Sequence, residues 1–218
     1  MQKEIKEEEC DYSFKSTINI QYEVALVGEC DVGKTCIWQN YLKGMIPKKT
    51  VPTIGVEFET KFVTLSDGSR IKAQIWDTAG QERYRSLTNS HFRKVVGALA
   101  IFDLTNKTSL EKLQLWIQEL KHHGDGDIQI IIVGNKLDLV QKNPSCRQVS
   151  EDDIKQFVKQ NKWKVFEISA QVPENVNQCF ECLFIDLCKQ KTGFRGGEQS
   201  QLKLMKQSAN LNEGKCKC

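Results

Sequence analysis

Gly28-Glu29-Cys30-Asp31-Val32-Gly33-Lys34-Thr35 follows directly on the apolar run Val24-Ala25-Leu26-Val27. A strand signal that ends in G-x-x-x-x-G-K-T and runs on into a helix is the pattern of a phosphate-cradling loop. The physical demand is narrow. Successive backbone N–H groups must turn inward around a polyphosphate, so Gly28 and Gly33 supply torsions that a Cβ would obstruct. Lys34 places an ammonium against the terminal phosphates, and the Thr35 hydroxyl suits the accompanying Mg2+. The helix that opens here adds partial positive charge under the same phosphates.

Outward from that loop the chain divides into four zones. Residues 1–21 carry five acids against three lysines without sustained periodicity, and are expected to form a flexible arm. Residues 22–191 alternate short apolar runs with amphipathic stretches and make the one domain that this length suggests. Residues 192–218 are rich in Gln, Asn, Ser and Lys and read as an unstructured tail. The tail ends in a distinct piece, Cys216-Lys217-Cys218. No internal repeat is present.

Strands are expected at 22–27, 56–65, 71–77, 98–104, 128–134 and 164–169. Ser66-Asp67-Gly68-Ser69 joins the second and third as an antiparallel hairpin. Helical patterns follow at 109–122, with Leu110, Leu113, Ile117 and Leu120 on one face, and at 174–190, with Val176, Phe180, Leu183, Phe184 and Leu187. Near-continuous apolar runs such as Leu99–Phe102 suit central parallel strands covered on both faces. The expected fold is therefore α/β: a doubly wound, mostly parallel six-stranded sheet with one antiparallel edge strand, and ligands at the carboxyl ends of its strands.

Composition narrows the class. A formal charge of +3 on 218 residues is too small to point to nucleic acid. Residues 1–10 are charged and lack the apolar core of a signal peptide. Gln2 stands where N-myristoylation needs Gly, and no apolar run approaches the roughly 18 residues of a membrane span. Of nine cysteines, Cys10, Cys30, Cys36, Cys146, Cys179, Cys182 and Cys188 read as free thiols in an expected reducing compartment. Cys179-x-x-Cys182 has no second pair and falls in a helical pattern, so core packing is expected. His91, His122 and His123 have no ligand spacing.

Two further motifs end strands. In Asp77-Thr78-Ala79-Gly80-Gln81-Glu82, Asp77 stands where an acid can hold the waters of Mg2+. Gly80 lets its N–H approach a terminal phosphate, and Gln81 can orient a water for in-line attack. In Asn135-Lys136-Leu137-Asp138, the Asp138 carboxylate can accept from the N1–H and 2-amino groups of guanine, whereas adenine would leave a buried acid unpaired. Asn135 can tie this turn to the phosphate loop, and the Lys136 stem can lie on the base. Thr53, in a loop, could reach Mg2+ only while a third phosphate is present, which would make that loop a sensor.

On these motifs the chain resembles a small GTPase of the Ras superfamily, and most closely the Rab family, over about residues 22–190. Ile54-Gly-Val-Glu-Phe58, Lys72-Ala-Gln-Ile-Trp-Asp-Thr-Ala-Gly80 and Gln81-Glu-Arg-Tyr-Arg-Ser-Leu87 are similar to Rab signature segments. The resemblance implies GTP/GDP and Mg2+ as cofactors, Thr35, Thr53 and Asp77 at the metal, and slow hydrolysis with Gln81 and Lys34 in the catalytic roles. It places Gly28, Asp31, Val32, Gly33, Cys36, Gly80, Asn135, Lys136, Asp138, Ser169 and Ala170 at the nucleotide, with the Ala170 N–H at the base oxygen. Ile54, Phe58, Trp76 and Tyr84 would meet effectors. The implied partners are an exchange factor, an activating protein, a dissociation inhibitor and an escort protein, with the GTPase itself a monomer.

Terminal Cys-x-Cys is similar to the doubly geranylgeranylated Rab end, so Cys216 and Cys218 are expected prenylation sites. Two lipids anchor stably where one does not, on the cytosolic face of an intracellular membrane. Three positions depart from the family pattern. Asp31 stands where a small residue is usual, Ile46 where an aromatic covers guanine, and Gln171 where Lys follows Ser-Ala. Two rival readings are a nucleotide-dependent scaffold with negligible hydrolysis and an ATP-using kinase or ATPase, against which the Asn135–Asp138 motif argues.

Overall fold

The computed structural model describes residues 20–47, 52–66, 68, 70–80, 91–159 and 161–192. One sheet holds β1 (Ile20–Val27), β2 (Val56–Thr64), β3 (Arg70–Thr78), β4 (Gly97–Asp103), β5 (Gln129–Asn135) and β6 (Lys164–Glu167). Their order is β2-β3-β1-β4-β5-β6. β2 is antiparallel to β3 and the other pairings are parallel, as the alternation of patterns led us to expect. The chain first builds to one side of β1 and then to the other, which opens a crevice beside its carboxyl end.

Among the described residues the α-helices are α1 (Lys34–Lys43), α2 (Lys107–His123), α3 (Leu137–Lys142), α4 (Glu151–Val158) and α5 (Pro173–Thr192). Successive side chains of each strand face opposite sides. Val24, Leu26, Leu99, Ile101, Ile131 and Val133 therefore bury against α1 and α5. Ala25, Val27, Ala98, Ala100, Ile130 and Ile132 bury on the other face against α2 and Ile154 of α4. Both faces are covered, which is why these strands read as unbroken apolar runs.

α5 buries Val176, Cys179, Phe180, Leu183, Phe184 and Leu187, spaced by three and four as one helical face requires. Cys179 is thus a core residue, with Cys182 packed beside it. Tyr41 of α1 stacks on Phe180 at a centroid distance of 3.8 Å, which locks α1 against α5.

β6 stops at Glu167, short of the expected 169. The Ile168 N–H still reaches the Gly134 carbonyl at 2.8 Å, and the Ile168 carbonyl accepts from the Leu137 N–H at 3.0 Å. Beyond it the Ser169 side chain turns away to another partner, described below. α4 was not among the helices read from periodicity. It begins in a capping box, where the Asp153 N–H donates to Ser150 Oγ and the Ser150 N–H donates to Asp153 Oδ2.

Ser150→Ala should lower stability by about 1 kcal/mol, read as a shift in the denaturation midpoint. Asp153 is held well below the usual carboxylate range by the Ser150 hydroxyl and then by Lys107. Its folded value is depressed, so its contribution is full above the unfolded value of about 4 and fades as pH falls towards the folded one. Melting between pH 6 and pH 3 should show wild type losing more than Asp153→Asn.

Candidate functional site

The carboxyl ends of β1, β3, β4 and β5 meet at one edge, since Leu26 pairs with Asp77, Val27 with Ala100 and Asp103 with Asn135. The motifs that leave those ends surround a cavity of about 440 Å3. Gly33, Lys34, Thr35 and Cys36 line its floor, with Asp31 at the rim. Thr53 and Gly80 close one end, and Asn135, Lys136, Asp138 and Ala170 form the other.

At the floor the backbone explains the glycines. Gly33 has φ 97° and Gly28 has φ 145°, torsions an L side chain rarely adopts. A Cβ on Gly28 would meet the Ile101 carbonyl, and one on Gly33 would meet the Asn135 side-chain nitrogen. Gly80 packs over the loop so closely that a Cβ would lie 2.5 Å from both Cys30 N and Lys34 Nζ.

Lys34 is buried, and its Nζ donates to the carbonyls of Gly28 (2.9 Å) and Glu29 (2.7 Å). Burial pushes its pKa down to about 8, against the pull of Asp77 and weaker acids nearby. Burial likewise pushes Asp77 up, against the Thr35 hydroxyl and Lys34. A cation and an anion thus share a buried floor, where electrostatic interactions are stronger than in water.

Thr35, Thr53 and Asp77 come from three separate segments and meet. Thr35 Oγ1 donates to Asp77 Oδ2 at 2.7 Å and lies 3.0 Å from Thr53 Oγ1, which is 3.4 Å from the same carboxylate oxygen. Asp77 is 0% exposed, and its Oδ1 has no hydrogen-bond partner among the described residues. Two hydroxyls and a buried carboxylate with an unpaired oxygen are hard donors that fit Mg2+ with its waters.

At the other end, Asn135 Nδ2 donates to the Val32 carbonyl (2.8 Å) and Asn135 Oδ1 accepts from the Ala170 N–H (2.9 Å). The Asn135 side chain therefore ties the two loops together. The Ala170 N–H, expected at the base oxygen, donates to Asn135 in this structure. Ser169 Oγ donates to Asp138 Oδ1 at 2.7 Å and so fixes the rotation of that carboxylate. Lys136 sits at φ 68° with its Nζ 2.7 Å from Asp103 Oδ2. Ile46, Leu139 and Gln171 complete this end of the cavity.

Of the other expected residues, Ile54 and Phe58 are 75% and 53% exposed. The Phe58 ring lies 4.7 Å from that of Trp76, on the β2–β3 face rather than in the cavity. Gln81, Tyr84, Cys216 and Cys218 lie outside the described residues. Several participants escaped the sequence reading. Asp103 holds Lys136, and Glu29 accepts from Trp116 Nε1 (2.9 Å) and Lys112 Nζ (3.1 Å) of α2. An acid at a strand end signalled Asp103. Nothing local signalled that Glu29 would meet residues more than eighty positions away.

The pattern of the Ras family matches residues 23–189. GTP-binding protein ypt3 of Schizosaccharomyces pombe is 37% identical over 182 residues, covering 84% of this chain and 79% of that one. Ras-related protein Rab-11C of Dictyostelium discoideum is 38% identical over 182 residues, covering 84% and 75%. Ras-related protein RGP2 of Oryza sativa subsp. japonica is 39% identical over 166 residues, covering 76% and 74%. The chain belongs to the Ras family, and it is a Rab-like small GTPase: a GTP-binding protein that hydrolyses GTP.

Asp31 is exposed at the cavity rim with φ 62°, a torsion Asp tolerates better than most residues. At ~4 Å and an effective dielectric of ~20 it would oppose a phosphate charge by roughly 4 kcal/mol, and solvent and salt reduce that severalfold. Asp31→Gly should therefore slow release of a fluorescent GDP analogue by roughly three- to ten-fold. The gap should narrow at high salt. Equal release rates at both salt concentrations would eliminate the electrostatic account.

Proposed function

We propose that the protein switches between GTP- and GDP-bound forms on the cytosolic face of an intracellular membrane, recruiting effectors in vesicle traffic. What supports the reading is the meeting of Thr35, Thr53 and Asp77 beside Lys34, because Thr53 reaches this point only through the loop before β2. Thr35 and Thr53 would hold Mg2+, with Asp77 receiving its waters. That ion, when bound, would neutralise charge on the phosphates during transfer.

Lys34 would exchange its carbonyl partners for the terminal phosphates and stabilise charge as the bond to the leaving GDP oxygen breaks. Gln81 would orient the attacking water. Asp138 would accept from guanine, while Lys136 and Ile46 would cover the faces of the base. Loss of the third phosphate would remove the reason for the Thr53 loop to stay against Thr35. The surface of exposed Ile54 and Phe58 beside half-buried Trp76 is where effectors would read that change, and Tyr84 would join them. Exchange factor, activating protein, dissociation inhibitor and escort protein are the regulators such a monomeric switch would use. An arginine supplied by the activating protein would be worth roughly 10^3–10^5 in rate.

The test is to identify the nucleotide carried by the purified protein and then follow single-turnover hydrolysis of GTP with Mg2+ and with excess chelator. Guanine nucleotide, with turnover that chelation abolishes, is expected. A carried adenine nucleotide, or turnover indifferent to chelator, would overturn the reading. Where Cys216-Lys217-Cys218 ends the mature chain, two lipids there would hold the protein on the membrane. The Cys216→Ser, Cys218→Ser double variant should move to the soluble fraction. Unchanged fractionation would refute the anchor.

A further inference from the structure

Asn40 stands on the buried face of α1 between Ile37 and Tyr41, where an apolar residue would be ordinary. It is 4% exposed. Its Nδ2 donates to the Ala170 carbonyl at 2.6 Å across 130 residues of sequence. Its Oδ1 is buried with no hydrogen-bond partner among the described residues. The orientation of this amide is settled by its surroundings, because only the nitrogen can face a carbonyl oxygen. An unpaired buried oxygen is unfavourable, so the amide is not explained by packing alone.

Its target explains it better. Ala170 is held on both sides: its N–H donates to Asn135 Oδ1 at 2.9 Å and its carbonyl accepts from Asn40. Asn135 is itself tied to the Val32 carbonyl of the phosphate loop at 2.8 Å. One residue earlier, Ser169 Oγ donates to Asp138 and also accepts from the Gln171 N–H at 3.1 Å. The short turn that orients the base-reading carboxylate is thus pinned by Asn135 from β5 and by Asn40 from α1.

α1 starts at Lys34 on the phosphate floor, and six residues of helix span about 9 Å. The helix that carries Lys34 and Thr35 at one end therefore sets the position of the base-side turn six residues along. The stacking of the adjacent Tyr41 on Phe180 of α5 keeps this strut from rotating.

We infer that Asn40 is a positioning residue for base selection: by clamping the Ala170 carbonyl, it holds the Ser169–Gln171 turn where Asp138 discriminates guanine. Asn40 itself does not line the cavity. The inference rests on the proposed base pocket and extends it to a residue on the phosphate-side helix. Loss of the clamp lets the turn move and weakens contacts that only guanine makes. Contacts to ribose and phosphate, shared by adenine nucleotides, are spared.

The experiment is competition binding of GDP and ADP to wild type, Asn40→Leu and Asn40→Ala. Asn40→Leu keeps the branched shape of the side chain at a larger volume and removes the unpaired oxygen together with the donor. Asn40→Ala lacks the donor as well and carries the same expectation if the leucine variant does not fold. GDP affinity should fall about ten-fold while ADP affinity stays within two-fold, so the preference for guanine falls about ten-fold. An unchanged GDP-to-ADP preference in a folded variant overturns the inference, whether both affinities fall together or neither moves. Wild type without preference for GDP would instead overturn the base-pocket reading on which the inference rests.

Discussion

Asp138→Asn is expected to exchange guanine for xanthine as the preferred base. Guanine offers two donors, N1–H and the 2-amino group, and an ionised carboxylate is the side chain that accepts both. Ser169 Oγ, 2.7 Å from Asp138 Oδ1, holds the carboxylate in one rotation. An asparagine in that setting keeps the accepting oxygen towards Ser169 and turns an NH2 towards the base. Two donors then face each other across a partly closed pocket, and neither finds a partner. Sites built to satisfy a hydrogen bond reject the analogue that lacks it by about 10^4–10^5, so GDP affinity should fall by roughly that factor. Xanthine, with a 2-oxo group, should gain in proportion. Competition between GDP and xanthosine diphosphate reads this directly, and a variant that still prefers GDP would show that Asp138 does not read the base.

Gly33→Ala is expected to abolish stable nucleotide retention, for a reason that lies on the opposite side of the cavity. At φ 97° an alanine is strained by roughly 1–2 kcal/mol. Its Cβ would also occupy the place of Asn135 Nδ2, displacing the hydrogen bond to Val32 (2.8 Å), at a further cost of roughly 1–3 kcal/mol. Together these predict a loss in GDP affinity of about 30-fold to several thousand-fold. A double-mutant cycle sharpens the test. If the collision with Asn135 is the second cause, Gly33→Ala should do less harm in an Asn135→Ala background than in wild type. Strict additivity, or affinity within five-fold of wild type, would remove the collision from the account.

These two variants mark what could be foreseen along the chain and what could not. Gly33 was expected to need an open backbone because a loop around phosphate does. That its missing Cβ also leaves room for Asn135, about a hundred residues later, follows only from the register that sets Asp103 beside Asn135 at the end of β5. The parallel sheet was foreseeable because burial on both faces forces unbroken apolar runs such as Leu99–Phe102, a period no surface strand shows. α4 was missed because eight residues with one buried side chain, Ile154, leave little periodicity. Its cap, Ser150-x-x-Asp153, was the better signal.

The chemistry at each loop is written along the chain: which side chain can meet phosphate, which can accept from guanine, and where the strands that present them end. Those properties depend on residue type and near-neighbour spacing, which a chain carries whether or not it has folded. Which side chains hold one another came from packing: Glu29 with Trp116 and Lys112, Lys136 with Asp103, Asn40 with Ala170. Each of those pairs joins segments brought together by packing helices on the two faces of one sheet. The apolar burial that brings them together is non-directional, so linear spacing did not reveal which polar groups would meet.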